Sequence, residues 1–298
     1  MPAVINTNMA SLFAQQSLMN AQGNLATSVQ RLSSGLRINS SRDDATGLAI
    51  AQSMQGKLNA IGMGKQNAMQ AMNLLQTADS TIGTVQDILL RMKQLSVEGT
   101  NDSISGDQKL DVVTELKTLN AQLNNIANGS TYNGISLLNS STNTLGFQVG
   151  SSTTAADTFT VATINVTTTS GTGNTEMAAV GATITTNSAT QLGSLAAGTT
   201  NAIWKTAFNT LSNNLDTAIE TLSSQRATLG SQMNALSYVT SNLESSSANL
   251  KASRSTVIDT DFASETALLT KGQIMQQAAT AMLAQANQMP NVILSLLK

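Results

Sequence analysis

Apolar side chains recur at helical spacing over most of the chain. Across residues 5–38, Leu18, Leu25 and Leu32 lie seven apart, as do Val29 and Leu36. This predicts an amphipathic helix whose polar face carries no charge. Small, turn-forming and charged residues then crowd into 33–44, which predicts a break between two helices. Arg31, Arg37, Arg42, Asp43 and Asp44 gather around it, and Asp43 or Asp44 is suited to cap the helix that follows. Residues 48–99 read as one long helix. Leu58, Ile61, Ala68, Met72, Leu75, Ile82 and Leu89 follow steps of three and four; Lys65, Asp79 and Gln86 interrupt them; Val85, Ile88, Met92 and Leu95 extend the face. Beyond a turn over 99–106, a third helix sets Val112, Leu116, Leu119, Leu123 and Ile126 on one face, and Asn128-Gly129 closes it.

The pattern changes in the middle of the chain. Between Lys117 and Lys205 there is no basic residue, and the only acids are Asp157 and Glu176. Ser and Thr dominate 139–200, with short alternating runs at 135–138, 145–149 and 159–161. A β-hairpin at Asn133-Gly134, then a small β-rich or loosely folded insertion, is the expectation. Helical spacing returns near Ala202. Phe208, Leu215, Leu222, Leu229, Leu236, Leu243, Leu250 and Val257 sit seven apart, while the companion position holds Leu211 and Ala218, then Gln225 and Gln232. One clean stripe with a mixed neighbour fits a larger helical bundle better than a two-stranded zipper. The phase slips at 258–262, and a last helix carries Leu268, Gly272, Met275, Ala279, Met282, Ala286, Met289 and Ile293. The fold class is therefore mainly α: a long antiparallel helical bundle or coiled coil built from both chain ends, with a small β-rich central insertion. The expected divisions are 1–42 with 257–298, 43–138 with 202–256, and 139–201.

Composition narrows the function. Aromatics are 3% of the 298 residues and charged residues 11%, with a net charge of −2. The chain has neither cysteine nor histidine. This removes disulfides, thiolate ligands and the commonest general base, so we expect no enzyme, no cofactor and no metal. Nothing points to nucleic acid. The first charged side chain is Arg31, so the opening stretch lacks the basic start of a secretory signal peptide. Asn, Gln, Ser and Thr break every apolar run before it is long enough to insert in a membrane. Both ends are uncharged amphipathic helices, and a lone one keeps its apolar face wet. Pairing the two ends covers part of that surface; copies of the same chain would cover the rest. The ends are thus expected to order in a polymer.

At this point a resemblance enters. Gln30-Arg31-Leu32-Ser33-Ser34-Gly35-Leu36-Arg37-Ile38-Asn39, followed by Arg42-Asp43-Asp44-Ala45-Thr46-Gly47-Leu48-Ala49-Ile50, resembles the N-terminal signature of bacterial flagellins. Ala286-Asn287-Gln288, Pro290 and Leu294-Ser295-Leu296-Leu297 resemble their C-terminus. The match covers roughly 1–140 and 205–298. It implies a subunit that self-assembles into the flagellar filament for swimming motility. The terminal helices would line an inner tube, the long helices would form an outer tube, and the insertion would be surface-exposed. It also implies an extracellular location reached through the flagellar export channel. The implied partners are further copies, an export chaperone on the C-terminal helix, the filament cap, hook-junction proteins and Toll-like receptor 5 of hosts. A hook–filament junction protein shares the end pattern but matches the signature less fully. A secreted helical effector of a related export system would need a membrane-spanning hairpin, which is not found.

Several residues carry rival readings. Arg91 and Leu95, one turn apart, and Glu115 on the next helix resemble the surface recognised by Toll-like receptor 5. They equally suit an exposed charge pair and a packing leucine. Leu18, Leu25, Leu32, Leu36, Leu222, Leu229, Leu236, Leu243, Leu250, Met275, Met282 and Met289 are assigned to helix packing and assembly. Asp43 with Asp44, and Asp259 with Asp261, sit at helix breaks, where capping is commoner than catalysis. For the Ser/Thr-rich insertion, O-linked sugar and plain solvated surface stay open. Asn165-Val166-Thr167 is a glycosylation triplet of the kind that chance supplies in so Asn- and Thr-rich a chain.

Overall fold

The computed structural model describes residues 8–139, 144–152, 154, 157–162, 164–168, 175–185 and 192–296. Its elements run α1 Met9–Ser34, α2 Ala45–Gly99, α3 Gly106–Gly129, β1 Thr131–Tyr132, β2 Ile135–Ser136, β3 Thr144–Gln148, β4 Thr158–Ala162, α4 Thr175–Thr185, α5 Asn201–Ile258 and α6 Phe262–Leu296. Packing divides the chain into two units, Met1–Asn59 with Ser247–Lys298 and Ala60–Ser246. The division falls inside α2 and α5, not at their ends.

Local chemistry sets the boundaries. The Asn8 side chain accepts from Ser11 N at 3.1 Å and starts α1. Gly35, at φ +71°, ends it by donating to Arg31 O. Ser105 and Gln108 exchange side-chain and backbone hydrogen bonds at the head of α3, a capping box. Asn133 and Gly134 both have positive φ, 50° and 79°, and form the two-residue turn that joins β1 to β2.

In the middle unit α2 and α5 run antiparallel. Ser96 Oγ donates to Phe208 O at 2.7 Å, Gln86 Nε2 to Ser223 Oγ at 3.1 Å, and Arg226 Nε to Asp79 Oδ1 at 2.8 Å. Lys65 pairs with Glu244 and Lys93 with Asp216. Lys65, Asp79 and Gln86, which interrupt the apolar run, are thus cross-helix polar links at multiples of seven. Between those links the core is large and apolar: Leu75, Ile82, Leu89 and Met92 from α2, Leu116 and Leu123 from α3, and Phe208, Leu215, Leu222 and Leu236 from α5 are all fully enclosed. Trp204 stacks on Phe208 with ring centroids 5.8 Å apart. Gly99 leaves room for the Phe208 ring, which a Cβ would meet at 2.3 Å.

The insertion joins this core. β3 and β4 pair antiparallel from Thr144 opposite Ala162 to Gln148 opposite Thr158. Asn67 on α2 donates to Gln148 O at 2.8 Å. The alternating runs at 145–149 and 159–161 fall in or beside this pair, but the insertion also contains a helix. In α4, Met177, Val180 and Ile184 recur at steps of three and four and are buried in the common core. Ser- and Thr-rich flanks mask that short period in the sequence.

Candidate functional site

The terminal unit is built on two helices with little charge. α1 and α6 run antiparallel. Asn8 Nδ2 donates to Ala286 O at 2.7 Å, Ser11 Oγ to Asn287 Oδ1 at 2.9 Å, and Arg31 Nη1 lies 3.7 Å from Glu265 Oε2. The seam between them holds small residues. On α1 the buried positions are Ser11, Ala14, Ala21 and Ser28. On α6 they are Glu265, Gly272, Ala279 and Ala286, again seven apart. A Cβ on Gly272 would stand 3.7 Å from the Leu25 Cα, so the two backbones approach closely.

The larger apolar side chains of these helices are turned away from the seam. Phe13 is 66% exposed, Met19 58% and Ile274 60%. Met275 and Met282, assigned to packing, are 50% and 65% exposed. Leu18, Leu25 and Leu32 are half-buried at the edges of the seam, and Leu36, past the end of α1, is half-buried against Ile38 and Ile258. The Met289 side chain lies outside the described residues. The small residues that close the seam on α1 were not singled out in the sequence, though Ala14, Ala21 and Ser28 share the seven-residue period. This much large apolar surface exposed on paired helices marks an interaction surface.

Below the seam, 35–48 and 257–262 cross. Arg37 N donates to Ile258 O at 2.7 Å and Thr260 N to Gly35 O at 3.0 Å. Arg37 Nη2 donates to Val257 O at 2.5 Å, satisfying a carbonyl at the end of α5. Asp44 Oδ1 accepts from Gly47 N at 2.8 Å and caps α2. Asp43 Oδ2 accepts from Asn39 N, Ser40 N and Ser40 Oγ. The backbone donors of Ser40 and then Asn39, with the Ser40 hydroxyl, hold its carboxyl below the ordinary value of 3.8. Asp261 Oδ1 accepts from Ala263 N and caps α6. Ile38, Ala51 and Ile258 close a small apolar cluster over this crossing. Arg42 and Asp259 are exposed.

The remaining candidates lie in both units. Arg91 Nη2 donates to Glu115 Oε1 at 2.8 Å, and both side chains are about half exposed. Leu95 does not share their surface. It is 2% exposed and belongs to the inner face with Met92 and Ser96. Leu222, Leu229, Leu236 and Leu243 are buried, and Leu250 is half-buried. Asn165 of the glycosylation triplet is buried, its Oδ1 accepting from Thr167 N and Oγ1. Among the described residues no group of three or more acidic, His or Cys side chains is placed to hold a metal. No described helix is long and apolar enough to cross a membrane.

Family models match both ends. Residues 5–144 match the bacterial flagellin N-terminal helical region and residues 212–297 the bacterial flagellin C-terminal helical region. The flagellar filament 33 kDa core protein of Treponema phagedenis is 32% identical over 298 residues, covering 99% of this chain and 100% of that protein. A flagellin of Listeria monocytogenes is 33% identical over 301 residues, covering 98% and 99%. The crystal structure of Bacillus cereus flagellin is 26% identical, covering 60% of this chain and 88% of that one, at a TM-score of 0.44.

Proposed function

Because the chain belongs to the bacterial flagellin family, we propose that α1 and α6 are the elements by which one copy holds the next. The chain is a structural subunit that self-assembles into the bacterial flagellar filament. Homologues build that filament outside the cell. The observation that carries the reading is the outward set of large apolar side chains, Phe13, Met19, Ile274, Met275 and Met282, on helices whose mutual seam is nearly all small residues. Residues 1–42 with 257–298 then line the inner tube, 43–138 with 202–256 form its outer wall, and 139–201 face the medium. The chain leaves the cell through the flagellar export channel, with an export chaperone covering the apolar C-terminal helix. It meets the cap and hook-junction proteins at the two ends of the filament.

The receptor surface is proposed around Arg91 and Glu115. Their paired charges are exposed on neighbouring helices, and an arginine fork anchors interfaces well. Leu95 acts from beneath, packing the helix that presents Arg91.

Seeded growth tests the assembly reading. The full chain is expected to elongate filament fragments, whereas a chain shortened to residues 45–255 stays soluble, helical and monomeric. Filaments from the shortened chain would remove α1 and α6 from the assembly role.

A further inference from the structure

Over residues 8–30 and 272–287 the seam between α1 and α6 does not specify its own register. Ala14, Ala21 and Ser28 face Gly272, Ala279 and Ala286, and both sets repeat every seven residues. Sliding one helix by seven residues sets small residues against small residues again. The polar pins at the far end repeat too. Asn8 and Ser11 bond Ala286 O and Asn287; seven residues earlier, Ala279 O and Thr280 offer a carbonyl and a hydroxyl. Charge gives no help along most of the seam, since residues 1–30 and 272–297 carry none on their side chains. A surface on which copies must repeat regularly cannot tolerate two registers.

We propose that the crossing of 35–48 with 257–262 is a register clamp. It fixes which residue of α1 meets which of α6, and the seam follows. This rests on the reading of α1 and α6 as assembly elements. The features of the clamp are not repeated along the chain. Gly35 turns the chain out of α1 at φ +71°, where a side chain would be strained. The reciprocal bonds Arg37 N to Ile258 O and Thr260 N to Gly35 O pin the two strands of the crossing to each other. Ile38 and Ile258 share one buried cluster with Ala51. Gly47 lies against this packing: a Cβ there would stand 2.4 Å from Asp44 Oδ2 and 2.6 Å from Ile38 Cδ1, so the cap and the buried isoleucine would both have to shift. Just past the crossing, Glu265 is 5% exposed and faces Arg31, the one charged pair on the seam among the described residues. A seven-residue slip breaks all of these at once. Gly47 is therefore a positioning residue: it touches no partner copy in this account, yet sets the geometry of the helices that do.

The chain has no cysteine, so an introduced pair is unique and reads register directly. Leu25→Cys with Gly272→Cys reports the native register, because a Cβ on residue 272 stands 3.7 Å from the Leu25 Cβ, within the span of a disulfide. Leu18→Cys with Gly272→Cys reports the slipped one, because the slip that sets Asn8 against Ala279 also carries residue 272 seven places along α1, from Leu25 to Leu18. Each pair is oxidised in the full-length subunit with and without Gly47→Ala, and separately with Arg37→Ala, which removes the bond from Arg37 Nη2 to Val257 O across the crossing without crowding the cluster. The melt of the middle unit is followed alongside. In the parent chain the 25–272 bridge is expected to form and the 18–272 bridge to be absent. With Gly47→Ala the 18–272 bridge appears, filament growth from seeds is lost, and the middle unit melts as before; Arg37→Ala gives a smaller change of the same kind. Both bridges in the parent chain, or the 25–272 bridge alone in both variants, overturns the clamp. The bridges are read in the free subunit, so failure of the parent chain to elongate seeds would count against the assembly reading and leave the register result standing.

Discussion

The two units close antiparallel helices by opposite means. In the middle unit, large residues meet: Leu75, Ile82 and Leu89 of α2 share one enclosed core with Leu215, Leu222 and Leu236 of α5. In the terminal unit the seam is Ala, Ser and Gly, and Phe13, Met19, Ile274 and Met282 point outward. A buried leucine contributes about 1.5–3 kcal/mol, whereas a single buried methyl contributes about 0.8 kcal/mol. The middle unit therefore carries its own stability. The terminal pair gains less from its own contacts and leaves its larger apolar groups exposed. Polar links follow the same division. Lys65, Asp79, Gln86 and Lys93 bond α5 all along the middle unit, while among the described residues the terminal pair has one charged contact, Arg31 with Glu265.

The largest break in this comparison comes from Leu236→Asp. It removes a fully buried leucine and places a carboxylate where nothing pairs with it, at a cost of roughly 3–5 kcal/mol or more. The middle unit is expected to lose its cooperative melt, read by circular dichroism; an unchanged melt would put the Leu222–Leu243 stripe outside the core.

Ala279→Leu asks the reciprocal question. Ala279 is buried in a seam of small residues, and overpacking costs about 1–3 kcal/mol. Growth from seeds should fall sharply while the middle unit melts normally. Normal growth would show that the close approach of α1 and α6 is not needed for assembly.

The smallest effect belongs to Asp43. Its carboxyl titrates below the ordinary value because Ser40 and Asn39 donate to the ionised form. A depressed native pKa makes the stabilisation complete above the ordinary carboxylate value and removes it as pH falls through the native one. Melts between about pH 6 and about pH 3 should therefore decline less steeply in Asp43→Asn than in the parent chain. The difference should be confined to the terminal unit, and parallel curves would dismiss the carboxylate as a contributor.

Legibility in the sequence tracks the size of the packing residues. The stripe from Phe208 to Leu243 is visible because leucine at every seventh place has little other reading, and every member is buried. Asn133-Gly134 is equally legible, since few other pairs adopt two positive φ angles. The seam of α1 is harder to see. Leu18, Leu25 and Leu32 draw the eye on any hydrophobic scale, yet they flank the contact, and Ala14 and Ala21 occupy it because only small side chains let the backbones approach. Leu95 sits four residues from Arg91, a spacing that suits one shared surface. The run Val85, Leu89, Met92, Leu95 carries it inward instead, and that run is itself readable. The roles of Gly47 and Gly35 come from three-dimensional closeness and a φ angle, neither of which a single sequence displays.

Trp204 is the chain's single tryptophan, and it is fully enclosed between α5 and its neighbours in the middle unit, stacked on Phe208. Its emission is thus an optical label that evolution has already placed in one unit and withheld from the other. Excited at the red edge of the band, the protein fluoresces from the middle unit alone, while far-ultraviolet dichroism sums helices from both. Heating one sample under both detectors separates the two transitions without any added dye. A loss of ellipticity before the indole emission shifts is the fraying of α1 and α6, seen by subtraction.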